Sequence, residues 1–152
     1  MSVPLEVLVD RIRRHYDDGC FACGRDNPIG LHLDSFKLDN GLVTARFDPR
    51  SDYRGAGNSL HGGIAATALD EILVWAGLLA ERVMSVTGRM NVRFRKPVDV
   101  TESLSVRARV DGRSGRRLEV SGELCVGEEV RVEASGLYLV TATLEDLDLL
   151  EA

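Results

Sequence analysis

The sequence predicts an α+β fold in which a curved antiparallel sheet wraps around one long central helix, with an extra helix at the N-terminus. The segment from His61 to about Arg82 is apolar nearly all the way round (Ile64, Ala65, Ala66, Leu69, Ile72, Leu73, Trp75, Ala76, Leu79), as expected of a helix enclosed by other structure. From about residue 86 the apolar period changes to two and recurs in four successive runs, each with one dry and one wet face. A half-wet antiparallel sheet with one apolar helix has an economical solution, the sheet curling around that helix.

Taken in order, residues 4 to 17 read as an amphipathic helix, with Leu5, Leu8, Val9 and Ile12 at helical spacing and Gly19 as its stop. A punctuated loop with Cys20, Cys23, Gly24, Asn27, Pro28 and Gly30 follows. Strands are expected over 31 to 38 and 42 to 47, joined at Asp39-Asn40-Gly41, where Asn-Gly favours a tight hairpin. Residues 49 to 58 are a polar loop before the central helix. In the strand that follows, Val86, Met90, Val92 and Phe94 alternate with Thr87, Arg89, Asn91, Arg93 and Arg95, and Pro97 closes it. Further strands carry Leu104 to Val110, then Leu118 to Leu124 after a turn at 111 to 115, then Val130 to Val140. Mixed charges on their wet faces can pair across strands.

A chain of 152 residues reads as one domain (1–152), with the N-terminal helix at 1–19, the core at 20–141 and an acidic tail at 142–152. With 44% hydrophobic and 28% charged residues it can bury a core. Asp70 and Glu71 interrupt the longest apolar run, Ile64 to Ala80, so no membrane span is expected. The N-terminal pattern contains Glu6 and Asp10, unlike a secretory signal, and a cytoplasmic location is the default expectation. A net charge of −5 argues against nucleic-acid partners, which need clustered basic residues. Arg89, Arg93, Arg95 and Lys96 nevertheless form a local basic patch suited to a small anionic ligand, or an ordinary solvated strand face.

The chemistry points to the central helix. Ionised carboxylates in so apolar a helix are costly unless compensated. Asp70 and Glu71 differ by about 100° in direction, so one can face a cleft while the other meets solvent, a salt bridge or a subunit seam. Burial would tend to raise such a pKa, which suits a general base that stays ionised. At the helix start, Gly62 and Gly63 offer unobstructed N–H groups at the positive end of the dipole, a geometry able to hold an oxyanion.

Through His61-Gly62-Gly63 followed by Asp70, the sequence resembles the phenylacetate-pathway (PaaI-like) hotdog thioesterases. Cys20-Phe21-Ala22-Cys23-Gly24, Asn27-Pro28-Ile29-Gly30-Leu31, Leu60 to Thr67 and Asn91-Val92-Arg93-Phe94 before Pro97 extend the resemblance over roughly residues 20 to 140. It implies a hotdog fold and an acyl-CoA thioesterase working as a homo-oligomer, at least a dimer, with tetramer also open. The amide matching Gly62 or Gly63 would polarise the thioester carbonyl. The carboxylate matching Asp70 would come from the neighbouring subunit as nucleophile or base. Thr87 holds the place of a hydroxyl that positions the water or carboxylate. Strict alternation puts Thr87 on the wrong face, so its role requires a bulge or a twist, expected at Gly88. Where many relatives have Asn or Gln six residues before the motif histidine, this chain has Gly55, and Asn58 is the candidate to supply that contact.

Other readings compete. His61 either holds the loop by hydrogen bonds or acts directly as a base. Glu71 is a packing or ion-pair residue, or the carboxylate itself if the register is shifted by one. Arg89, Asn91, Arg93, Arg95 and Lys96 are candidate contacts for coenzyme A. Cys20 and Cys23 have the spacing of half a zinc site that would need donors such as Cys125, His32 or His15, but reduced structural thiols are the expectation in a cytosolic protein. The expected reaction is hydrolysis of an acyl-CoA to free acid and coenzyme A without a metal or redox cofactor. The alternatives are an acyl-CoA-binding sensor without turnover and a hotdog hydratase.

Overall fold

The computed structural model describes residues 2–151. Helix α1 (Leu5–His15) buries Leu8, Val9 and Ile12 along one stripe. In the loop after it, Leu31 and Leu33 are buried, but their N–H groups bond the carbonyls of Phe21 and Ala22 at 2.8 and 2.9 Å. These residues are therefore held by the cysteine loop, and strand β1 (Asp34–Asp39) begins later than its apolar pattern suggests. It pairs with β2 (Leu42–Phe47) through Asn40 and Gly41, whose φ values of 48° and 79° are the left-handed pair that a tight hairpin turn requires.

The central helix α2 (Gly62–Ala76) starts on His61 as N-cap. It continues as a wider turn over Gly77–Glu81, closed by Arg82 at φ 56°. Gly77 sits against Leu118, whose Cδ1 would lie 3.1 Å from a Cβ, so a small residue is needed where the helix crosses the sheet. Ala68, Leu69, Ile72, Leu73 and Ala76 are fully enclosed. Contrary to the sequence expectation, Gly62–Glu81 is, by length and composition, long and apolar enough to cross a membrane despite Asp70, Glu71 and Glu81. In this fold it packs against β2 and against the strands that follow.

Those strands are β3 (Val83–Phe94), β4 (Leu104–Ser114), β5 (Arg117–Val126) and β6 (Glu129–Thr143). All six strands form one antiparallel sheet in the order β1-β2-β4-β5-β6-β3, with α2 on its inner face. Strand β4 runs past the expected turn: its register shifts between Val110 and Gly112, but pairing with β5 continues to Ser114 and Arg117, with Gly115 at φ 59° in the turn between them. The C-terminal acidic segment packs rather than trails: Leu144 is buried, and Arg11 donates to the Leu149 carbonyl at 3.1 Å.

Strand β3 is the sheet edge opposite β1 and pairs only with β6. Its register slips between Met84 and Ser85 and again between Thr87 and Arg89. The second slip is a bulge at Gly88, and it moves Val86 out to 52% exposure, off the dry face that alternation assigned to it. Across from Met90, Gly136 has no room for a side chain, since a Cβ would lie 2.4 Å from the Arg89 carbonyl oxygen. Gly136→Ala should therefore cost about 1–3 kcal/mol of stability, seen as a lower urea midpoint with an unchanged slope.

Candidate active site

Asp70 lies in the third turn of α2 and is partly buried. Its Oδ1 accepts two hydroxyl bonds, from Thr87 Oγ1 at 2.7 Å and from Tyr138 OH at 2.6 Å. Both are in the range of charge-assisted O–H···O bonds. Thr87 on β3 and Tyr138 on β6 are direct cross-strand neighbours. The bulge at Gly88 is what turns Thr87 toward the helix while Met90 and Val92 still pack on the core. Oδ2 has no hydrogen-bond partner among the described residues.

Tyr138 was not anticipated as a site residue. By period it belongs to the apolar face of β6, and its ring is indeed fully buried. The signal available was that a buried phenol needs a partner and so does a carboxylate in an apolar helix. Burial, reinforced by the Asp70 carboxylate, pushes the Tyr138 phenol well above its usual range, so it acts as a neutral donor.

At the helix start the two glycine amides are not equivalent. His61 Nδ1 accepts from the Gly63 N–H at 2.9 Å, which places the imidazole proton on Nε2. The Gly62 N–H has no partner among the described residues. The Phe94 ring lies beside it, with two ring carbons 3.4 Å from where a Cβ would stand. Gly55 lies against His61, a Cβ there being 3.4 Å from the His61 Cα. The Asn58 side chain is exposed and bonds nothing among the described residues, while its carbonyl accepts from Val100 N–H at 2.9 Å.

Gly62 and Asp70 are eight residues apart on one helix, a rise of about 12 Å.

Glu71 turns the other way, toward the N-terminal loop. Its Oε2 accepts from Cys20 Sγ at 3.3 Å and from Trp75 Nε1 at 3.2 Å. Among the basic candidates, Arg95 pairs with Glu133 and Lys96 with Glu129, each at 2.8 Å. Arg89, Asn91 and Arg93 are exposed and have no side-chain bond among the described residues. A cavity of about 340 Å³ lies near the start of α2, lined by Leu60, Ala65, Phe94, Arg95, Lys96 and Val132 among others. A larger groove of about 490 Å³, which includes Asn91, Arg93, Arg107 and Arg109, runs along the strands and does not include Asp70.

No curated protein matches the chain. Among solved structures, the protein RHA08564, a thioesterase superfamily protein, superposes with a TM-score of 0.75 at 22% identity, covering 80% of this chain and 60% of that one. This chain thus spans three-fifths of that protein's length. The PaaI protein from the phenylacetic acid degradation operon of E. coli gives a TM-score of 0.73 at 15% identity, covering 91% of this chain and 96% of that one. A hypothetical thioesterase of Streptococcus pneumoniae solved with coenzyme A gives 0.66 at 16% identity, covering 74% and 98%. The family model described as the thioesterase superfamily matches residues 57–134, a stretch that begins just before α2 and ends in β6. With the sheet wrapped around α2, that match establishes that the chain has the hotdog fold and belongs to the thioesterase superfamily.

Proposed function

We propose that the protein is an acyl-CoA thioesterase whose active site is shared by two protomers, Asp70 coming from one and the Gly62 amide from the other. The observation that carries this reading is the carboxylate on α2 with one oxygen held by Thr87 and Tyr138 and the other unengaged. Membership of the thioesterase superfamily and the coenzyme A bound by the streptococcal relative support the substrate class. The helical rise between Gly62 and Asp70 supports a shared site. Strand β3 offers an unpaired edge for a second copy, and Val86 and Phe94 are exposed along it at 52% and 55%.

In this mechanism the thioester carbonyl accepts the Gly62 N–H at the positive end of α2, where negative charge develops as the carbonyl carbon becomes tetrahedral. Asp70 Oδ2 takes the proton of a water that attacks that carbon. The C–S bond then breaks, and the proton passes to the departing thiolate, giving free acid and coenzyme A. Direct attack by Oδ2 would use the same placement and would form an anhydride that water opens. Neither route requires a metal or a redox cofactor. His61 serves as the cap of α2 rather than as a base. Arg89 and Arg93, free of ion pairs among the described residues, are the side chains assigned to the coenzyme A phosphates.

Thiol release from a panel of short aliphatic and aromatic acyl-CoAs tests the proposal. Turnover on at least one is expected; folded protein that binds acyl-CoA without releasing thiol would instead be a binding module. Tyr138 and Thr87 act by positioning Asp70. A hydrogen bond to a charged group contributes about 1.5–3 kcal/mol, so Tyr138→Phe should lower kcat by about 10–100-fold with KM little changed. An equal rise in KM with kcat intact would assign Tyr138 to substrate binding.

A further inference from the structure

The second carboxylate of α2, Glu71, points away from the proposed hydrolytic site, toward Cys20 and Trp75. Glu71, Cys20 and Cys23 place one oxygen and two sulfurs within 4.8 Å of one another. Cys23 is buried and Cys20 half-buried. Neither Cys125, His32 nor His15, the donors that spacing alone suggested, belongs to this group. We propose that Cys20, Cys23 and Glu71 form a binding site for a single structural divalent zinc ion, which ties the N-terminal loop to the helix that carries Asp70.

The geometry suits such an ion. Zn–S bonds of about 2.3 Å and Zn–O bonds of about 2.0–2.2 Å in a tetrahedral shell put neighbouring donors roughly 3.5–3.8 Å apart. The present arrangement already holds Cys20 Sγ and Glu71 Oε2 at 3.3 Å. Two thiolates and a carboxylate are a donor set that favours a borderline-soft ion over magnesium or calcium. The fourth position is left to water, since Cys20 reaches the surface.

The loop is built to hold the two sulfurs in place. Gly24 N–H bonds the Cys20 carbonyl at 2.8 Å, closing a turn around the pair. A Cβ on Gly24 would lie 2.4 Å from the Asp18 carbonyl oxygen and 2.5 Å from the Cys20 nitrogen, so only glycine permits the turn. Arg13 donates to the Cys23 carbonyl at 3.1 Å and anchors the loop to α1. Trp75 Nε1–H donates at 3.2 Å to Oε2 of Glu71, the same oxygen that Cys20 approaches, the kind of outer contact that orients a metal-binding carboxylate.

Charge balance points the same way. Three acidic groups converge at this point, and no lysine, arginine or histidine forms an ion pair with Glu71 among the described residues. A divalent ion would supply the missing positive charge, displacing the thiol and carboxyl protons as it binds. The site is distinct from the proposed hydrolytic one, so either proposal can fail without the other.

The test is metal content together with cobalt(II) titration of the intact protein after chelator treatment and reduction. Reconstitution with zinc should leave about one ion per chain, and cobalt(II) should give a thiolate-to-metal charge-transfer absorption. Cys20→Ser and Cys23→Ser should each weaken that absorption and the double substitution should abolish it, whereas Cys125→Ser should keep it. Glu71→Gln preserves shape and should weaken zinc binding by about 10-fold or more. Substoichiometric zinc with no charge-transfer band in the native protein would overturn the proposal, as would Glu71→Gln binding zinc as tightly as the native chain.

Discussion

Replacing Asp70 with Asn should lower kcat on every accepted acyl-CoA by about 10²–10⁴-fold, the usual contribution of a positioned general base. The substitution keeps the shape of the side chain. Asn can still offer an oxygen to Thr87 and Tyr138, which now donate to Oδ1 at 2.7 and 2.6 Å. What it removes is the unengaged, negatively charged Oδ2. Folding should be little affected, because both hydroxyl donors keep an acceptor, and KM should change far less than kcat. Equal turnover by the folded variant would remove Asp70 from the chemistry and leave the hydroxyl pair as a structural bond.

The second large effect is expected at Gly62. Proline is accepted at the first position of a helix, where its missing N–H would have no intrahelical partner. Gly62 is that position in α2, and the nearest contacts to an added Cβ are two carbons of the Phe94 ring at 3.4 Å. Gly62→Pro thus deletes one backbone donor at small structural cost. Loss of a single oxyanion donor lowers kcat by about 10²–10³-fold. The Gly63 N–H cannot readily substitute, being engaged by His61 Nδ1 at 2.9 Å. A fall of less than threefold would move the oxyanion site elsewhere.

How far the sequence foretold this site depends on how local each signal was. The hairpin at Asn40-Gly41 and the start of α2 were legible because a few adjacent residues specify them: two left-handed turn positions in one case, a histidine cap before two glycines in the other. The bulge at Gly88 was inferable from a conflict, since Thr87 could face the helix only if the alternation broke, and the register does slip there. The accompanying exit of Val86 from the dry face was not foreseen, because period-two counting carries no information about where a strand shifts. Tyr138 meets Asp70 across 68 residues and Cys20 meets Glu71 across 51. Such contacts are set by how the sheet curls around α2, and nothing in the neighbouring sequence encodes them.

The shared site is tested most directly by complementation between two inactive chains. Asp70→Asn and Gly62→Pro protomers carrying different tags would be co-expressed and the mixed dimer isolated through both tags. Each mixed dimer contains one site with a native carboxylate facing a native amide and one lacking both. Turnover should therefore return to about half that of the native dimer, as two-fold symmetry requires. If the mixed dimer is no more active than its parents, the carboxylate and the amide act within one chain or not at all, and no active site is divided between protomers.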